Sequence, residues 1–462
     1  MELQAHPVST IPVKSAWEMR AAIAFCAVFV LIRVLMLFGG ERNIWWDEAV
    51  YLNNAEYISS FGSQAMYEPA RPLVLSLLLL LAGDQKQAWG VLIELLLAAG
   101  VLLLTYSIAR RIVSKPLALW CMVAVALTPS FFNFSGKIMT ELPSLFFVLA
   151  GLLWLLDEKM FAAGLFMSLG FLTRYFSIFL LAGCMVFWLL ENRRDKQVWI
   201  RSMKWCTGFF IPIAILGIVF MFFYDTPWYP FELQIWLTGN TGWMYEEGPW
   251  FYLVSAVKDN FLYIFTLVGA GALLSSKKHI VLLGAVVYFL IMQLSPHKEV
   301  RFLLLMLPLG MILAAYALQM IAPRLQWLWV ALLIALFTIS LGALKTQELD
   351  YANQAWLHFE EMAMEGPVGV TNPLYALGKR VSMVPLYYPT FNSSRLREFY
   401  KETDLPATIL FSHCDVLCPP ADNCAVAEQE FVDATQSRYG AMGSFAASNC
   451  TVVFFSSASS AK

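Results

Sequence analysis

Apolar runs close to 20 residues long recur from Ala21 to about Leu344, separated by short charged or aromatic segments. A helix of about 20 residues rises about 30 Å, the thickness of a bilayer's hydrocarbon core. Hydrocarbon offers backbone amides no hydrogen-bond partner, so a spanning segment has to be a helix or part of a closed barrel. A barrel strand crosses in about 9–11 residues, half the length of these runs, so they are read as helices. Charge content agrees: 14% of the 462 residues are charged and 59% are hydrophobic, against about 25% and about 45–50% in soluble domains. The expected fold class is an all-α polytopic membrane bundle of about 11 transmembrane helices with a small C-terminal external α/β domain.

The spans are placed at Ala21–Gly39, Ala88–Ile108, Leu117–Phe132, Leu142–Leu156, Phe161–Thr173 and Tyr175–Leu190 hinged at Arg174, and Phe209–Phe223. One more ends at Lys277-Lys278, and Ile280–Leu294, Phe302–Ile321 and Leu325–Leu344 complete the set. The first run is long and no small-residue cleavage site clearly follows it, so it reads as a retained span rather than a signal peptide. Residues 1–20 form a short arm on the same side as Arg110, Arg111, Lys115, Arg193, Arg194, Lys196, Arg201, Lys204, Lys277, Lys278 and Arg324. The positive-inside rule makes that side cytoplasmic. The transmembrane domain then covers residues 21–344, with external loops 40–71, 225–252 and 295–301. An odd number of spans leaves residues 345–462 outside.

Cysteine usage points to the same side for the tail. Cys26, Cys121, Cys184 and Cys206 lie in or beside apolar runs, whereas Cys414, Cys418, Cys424 and Cys450 crowd into the polar tail. Four cysteines there suggest two disulfides and an oxidising compartment, with three pairings open. A zinc site using His413 is the rival, although the spacing fits no standard zinc pattern. A helical stretch over Glu348–Met364 and strand-like runs at Val368–Val370, Ala407–Phe411 and Thr451–Phe455 predict the small α/β domain. Asn392-Ser393-Ser394 and Asn449-Cys450-Thr451 match the glycosylation sequon. The net charge of -2 gives no reason to expect nucleic acid as a partner.

Most distinctive polar clusters fall on the external side: Asp47-Glu48, Glu68 with Arg71, Lys137 with Glu141, Arg174, Asp225 with Glu232, Glu246-Glu247, and Pro296-His297-Lys298-Glu299-Val300-Arg301-Phe302. An alternating-access transporter would place polar groups near mid-bilayer, so clustering at one face favours catalysis. Asp47 and Glu48 form an acidic pair among Trp45, Trp46 and Tyr51 just beyond the first span. Solvated acids in an interfacial aromatic belt are the plainer alternative. His297, Lys298 and Arg301 run against the positive-inside trend, and cations there suit a phosphate, Arg as a fork and Lys as a point charge. A snorkelling basic helix end is the bland counterpart. Arg174 and Glu141 set charge against apolar runs, a costly arrangement unless paired or functional.

Taken together, the acidic pair, Arg71-Pro72, Thr140-Glu141-Leu142-Pro143 and the late His-Lys-Glu-x-Arg-Phe string at 297–302 resemble the GT-C glycosyltransferases, membrane enzymes that use polyprenyl- or dolichyl-phosphate sugars. The late string is most similar to dolichyl-phosphate-mannose-dependent mannosyltransferases. Residues 40–175 look more like the protein-O-mannosyltransferase and aminoarabinose-transferase branch. Trp45-Trp46-Asp47 sits in the first loop, unlike the C-terminal Trp-Trp-Asp of oligosaccharyltransferase subunits. The resemblance implies an inverting transfer, with Asp47 or Glu48 as general base. It implies that His297, Lys298 and Arg301, assisted by Arg71 and Arg174, stabilise the leaving lipid phosphate, with Glu299 and Glu141 in support. It implies no obligatory metal or other cofactor, a lipid-linked sugar donor and a glycan, lipid or protein acceptor. A lipid or glycan transporter and a non-enzymatic scaffold are the competing readings.

Overall fold

The computed structural model describes residues 16–38, 42–62, 68, 71–241, 246–276, 279–321, 325–343, 349–359, 366–377, 383–386, 396, 399, 405–416, 424–447 and 449–456. Lys277, Lys278, Arg324, Cys418 and the sequon at Asn392 lie outside them. The bundle begins with α1 (Ala16–Phe38), α2 (Trp46–Ser59), α3 (Leu73–Leu79), α4 (Lys86–Ala109), α5 (Lys115–Ala126) and α6 (Pro129–Phe134). It continues with α7 (Glu141–Leu156), α8 (Met160–Thr173), α9 (Ser177–Asn192), α10 (Val198–Tyr224), α11 (Tyr229–Thr241), α12 (Phe251–Asp259), α13 (Tyr263–Ser276), α14 (Gly284–Leu294), α15 (Leu307–Ile321) and α16 (Gln326–Ala343).

Among the described residues, Trp17–Leu37, Lys86–Ala109 and Val198–Tyr224 are each long and apolar enough to cross a membrane. The pair α12 and α13 passes the same test together but bends by 108° at its break. Seven further apolar helices are shorter. The result is an integral, multi-pass α-helical protein. Membrane helices gain little from burying apolar surface against each other, so they associate where small residues let backbones approach. Gly164 of α8 and Gly208 of α10 show this: a Cβ on Gly164 would run into the Trp205 carbonyl, and one on Gly208 into the Phe161 carbonyl. Gly269 of α13 abuts the Leu313 carbonyl of α15 in the same way.

The C-terminal part contains α17 (Tyr351–Phe359), α18 (Cys424–Arg438) and five strands, β1 (Val368–Val370), β2 (Met383–Pro385), β3 (Thr408–Ser412), β4 (Gly440–Ala447) and β5 (Cys450–Ser456). They form one mixed sheet in the order β2-β1-β3-β5-β4. β1 runs parallel to β2 and β3, and β5 runs antiparallel to β3 and β4. Cys414 and Cys450 are joined in a disulfide. Cys424 is disulfide-bonded as well, and Cys26, Cys121, Cys184 and Cys206 are free thiols.

Within the segment 40–71, read from the sequence as a loop, α2 is a helix buried over Glu48–Ala55. Its apolar face, with Ala49, Tyr51, Leu52 and Ala55, shares a core with Phe359, Leu374, Tyr375 and Phe454 of the C-terminal part. Polar ties fix the arrangement: Asn353 accepts from the Ile44 N–H at 2.9 Å and donates to its carbonyl at 3.0 Å, and Asn53 donates to the Pro373 carbonyl at 3.0 Å. Helix α2 is therefore a wedge between bundle and sheet. Replacing Gly164 by Val forces α8 and α10 apart and should cost about 1–3 kcal/mol, as overpacking typically does. Thermal unfolding of the purified variant checks this, and a melting temperature equal to wild type would refute the close approach.

Candidate active site

A cavity of about 530 Å³ opens where α2, the 297–302 segment and the C-terminal part meet. Its lining includes Trp45, Trp46, Asp47, Tyr51, Arg71, Thr140, Arg174, Tyr175, His297, Glu299, Arg301 and Phe302 from the bundle. Local structure explains how each polar side chain reaches it. Asp47 and Glu48 occupy the first turn of α2, where carboxylates are favoured by the helix N-terminus. Arg174 stands at the break between α8 and α9 with extended backbone, so its side chain is not tied to either helix's apolar face. The 297–302 segment follows α14 and enters a short 3-10 turn at Val300. It is anchored from behind, since the Tyr252 hydroxyl accepts from the Glu299 N–H at 3.1 Å and the Tyr288 hydroxyl donates to the Phe302 carbonyl at 3.0 Å.

The centre is Asp47. One carboxylate oxygen lies 2.8 Å from Arg71 and the other 2.6 Å from Arg301. Arg301 also pairs with Glu299 at 2.6 Å and stands 3.6 Å from Glu141. Arg174 pairs with Glu141 at 2.9 Å and donates to the Thr140 hydroxyl at 3.1 Å. Glu68 lies 3.3 Å from Arg71. His297 meets Glu299 at 2.7 Å and stacks on the Phe302 ring, over which the Arg174 guanidinium also sits at 4.8 Å. The expected support from Glu299 thus takes a concrete form, one carboxylate oxygen holding both His297 and Arg301.

Burial alone would raise the Asp47 carboxyl, but the Arg71 and Arg301 charges outweigh it and hold the group well below the usual carboxylate range. Glu299 is likewise lowered, burial being overcome by its bonds to His297 and Arg301. Glu68 goes the other way, raised by burial despite Arg71. The sign for stability follows for Asp47: its ion pairs stabilise the fold at every pH above the ordinary aspartate range and are lost only as pH falls through the depressed value. Hydrogen-bonding capacity remains for a ligand. The Tyr175 hydroxyl, Arg174 Nε and Arg301 Nε are buried without a hydrogen-bond partner among the described residues.

Three of the nine expected residues stand apart from the cavity lining, among them Glu141, which is buried against Arg174 and Arg301. Glu48 is fully buried and lines none of it. Its carboxylate accepts from the Ile138 N–H at 2.8 Å and from the Trp45 N–H at 2.9 Å, and it pairs with Arg42. Consecutive helix residues point about 100° apart, so only one of the pair faces the cavity. Lys298 donates instead to the Glu247 carbonyl at 2.8 Å, outside the lining. Lys137 also departs from its expected company with Glu141, lying over the Trp45 indole at 3.5 Å. Sequence reasoning missed Asp350, Tyr351, Asn372, Cys414 and Asp415, which complete the lining from the C-terminal part. Among the described residues no group of three His, Cys, Asp or Glu side chains is disposed to hold a metal ion.

The Alg9-like mannosyltransferase family model matches residues 66–353. No curated protein matches the chain. Among solved structures the chain is similar to ArnT from Cupriavidus metallidurans bound to undecaprenyl phosphate, at 14% identity over 94% of this chain and 97% of that one, with a TM-score of 0.64. It is also similar to the archaeal oligosaccharyltransferase AglB from Archaeoglobus fulgidus in complex with an inhibitory peptide and a dolichol-phosphate, at 11% identity over 90% and 73%, TM-score 0.58. A third likeness is to the arabinofuranosyltransferase AftD from Mycobacteria, at 13% identity over 94% and 40%, TM-score 0.53. At these identities the likeness is one of fold.

The geometry separates the two acids of the first loop. Glu48→Ala strands the buried Ile138 N–H, the partly buried Trp45 N–H and Arg42, a loss on the scale of about 3–5 kcal/mol seen when one partner of a buried pair is removed. It should lower the melting temperature sharply. Asp47→Asn, at the cavity wall, should leave a folded protein. Equal thermal stability of both variants would contradict this division.

Proposed function

The chain belongs to the Alg9-like mannosyltransferase family, on the GT-C glycosyltransferase fold, and from that premise we propose that it moves a mannosyl group from a polyprenyl- or dolichyl-phosphate donor to a hydroxyl of a glycan, lipid or protein acceptor on the non-cytoplasmic face. The observation that carries this reading is the Asp47 carboxylate held between Arg71 and Arg301 in a cavity that also contains Arg174 and His297. The bound lipids of two fold relatives, undecaprenyl phosphate in ArnT and a dolichol-phosphate in AglB, support a lipid-phosphate donor.

Three arginines here meet four carboxylates, Asp47, Glu68, Glu141 and Glu299. There is no surplus of positive charge waiting for a ligand. A donor phosphodiester gains a site only by exchange, taking over Arg71 and Arg301 from Asp47. That exchange would do two things at once. It would place the leaving phosphate on bidentate donors, and it would free Asp47 from the charges that keep it a weak base.

In the reaction, the freed carboxylate takes the proton of the acceptor hydroxyl as that oxygen bonds to the anomeric carbon. The bond from the anomeric carbon to the phosphate oxygen breaks, and its electron pair leaves with the phosphate. Arg301 and Arg71, with Arg174 and His297 close by, stabilise the developing charge. Attack opposite the leaving group inverts the configuration. Glu141 holds Arg174, and Glu299 holds His297 and Arg301. Because guanidinium groups supply the positive charge, we propose that no metal is obligatory.

Transfer from radiolabelled polyprenyl-phosphate mannose by the purified full-length protein tests the reading. Wild type should consume the donor with or without a chelator. Asp47→Asn should lose about 10²–10⁴-fold in rate, the usual worth of a general base, and Arg301→Ala about 10²–10³-fold, as for a lost donor to developing charge. Equal rates in all three proteins, or no consumption of any lipid-phosphate sugar by wild type, would overturn it.

A further inference from the structure

The cavity has a second wall whose chemistry differs from the first. The arginine wall belongs to the bundle. The facing contribution from the C-terminal part is Asp350, Tyr351, Asn372, Cys414 and Asp415, which includes no cation. Asp415 is buried and its carboxylate is saturated. It accepts from the Tyr351 hydroxyl and from Asn372 at 3.0 Å on one oxygen, and from Thr371 at 2.9 Å and Tyr375 at 2.7 Å on the other. A carboxylate offers about four lone-pair sites, so Asp415 has none left for a substrate.

What Asp415 does is fix its donors. The Tyr351 hydroxyl spends its proton on Asp415, and its oxygen keeps acceptor capacity at the cavity surface. Asn372 donates to Asp415 and accepts from the Leu374 N–H at 3.1 Å, so the orientation of its amide is set. The turn that carries Asp415 is pinned one residue earlier by the Cys414–Cys450 disulfide. Beside Tyr351, Asp350 uses one carboxylate oxygen to cap α17, accepting from the N–H and side-chain amide of Asn353, both at 2.9 Å. Its other oxygen has no partner among the described residues. A neutral-to-acidic wall of fixed acceptors suits hydroxyl donors and repels phosphate, the reverse of the arginine wall.

We infer that this wall is the acceptor subsite, where Asp350 and Tyr351 receive the hydroxyls of a sugar end and Asp415 acts as the positioning residue that holds Tyr351. The inference rests on the reading of the cavity as a glycosyltransfer site, but its test needs no turnover. Methyl α-mannoside is titrated into the full-length protein in lipid nanodiscs by saturation-transfer NMR, and undecaprenyl phosphate is titrated in parallel. Tyr351→Phe and Asp415→Asn should each weaken mannoside binding about fivefold, in line with one lost hydrogen bond, while leaving undecaprenyl phosphate affinity unchanged. Asp350→Asn, which keeps a good helix cap, should weaken the mannoside alone in the same way. Arg301→Gln should show the opposite pattern. The inference is overturned if wild type does not bind the mannoside, if Tyr351→Phe and Asp350→Asn both bind it as wild type does, or if Arg301→Gln weakens it equally. The expected mannoside pattern without any donor consumption by wild type would count against the proposed transfer and leave the subsite standing.

Discussion

One carboxylate held by two arginines organises the end of the bundle that meets the sheet. Asp47 comes from α2, Arg71 from the chain just beyond it, and Arg301 from a turn after α14, more than 250 residues later. Bringing three such groups together out of water is costly unless each is paired. The pairing spreads outward accordingly, through Glu68 on one side and Glu299, His297, Glu141 and Arg174 on the other. The rest of the architecture holds that network still. Tyr252 and Tyr288 anchor the 299–302 segment, and Glu48 ties the start of α2 to the loop before α7.

The C-terminal part belongs to the site as much as the bundle does. Because α2 is wedged between the two, Asp47 sits in the cavity that both of them line. The cavity walls divide the chemistry in the same sense. Guanidinium groups suit a phosphate, and fixed oxygen acceptors suit hydroxyls. In the proposed transfer, exchange of Arg71 and Arg301 from carboxylate to phosphate would couple donor arrival to activation of the base and limit wasteful attack by water before the donor is seated.

Much of this was legible in the sequence, and the parts that were not share a cause. Apolar runs mark helices whatever surrounds them, so the bundle was readable, and Asp47, Arg71, Arg174, Glu141, His297, Glu299 and Arg301 stood out as polar clusters expected on one face, Arg174 and Glu141 also as charges set against apolar runs. All seven belong to the network described here, six of them in the cavity lining with Arg301 and Asp47 in direct contact. Asp47 and Glu48 could not be told apart, because their difference is one of helical phase against neighbours distant in sequence. Lys298 looked equivalent to Arg301 for the same reason. β4 (Gly440–Ala447) carries glycine, alanine and serine where strands favour branched and aromatic residues, and it exists because β5 pairs with it. Asp415 gave no sign of its role, since its meaning depends on Tyr351, Thr371, Asn372 and Tyr375 folding around it.

The most direct measurement is a cryo-EM structure of the full-length protein in nanodiscs with undecaprenyl phosphate bound. The phosphate should lie between Arg71 and Arg301, with the Asp47 carboxylate released from at least one of them and turned toward the acceptor wall. A phosphate bound elsewhere, with Asp47 still held by both arginines, would contradict the exchange on which the proposed chemistry depends.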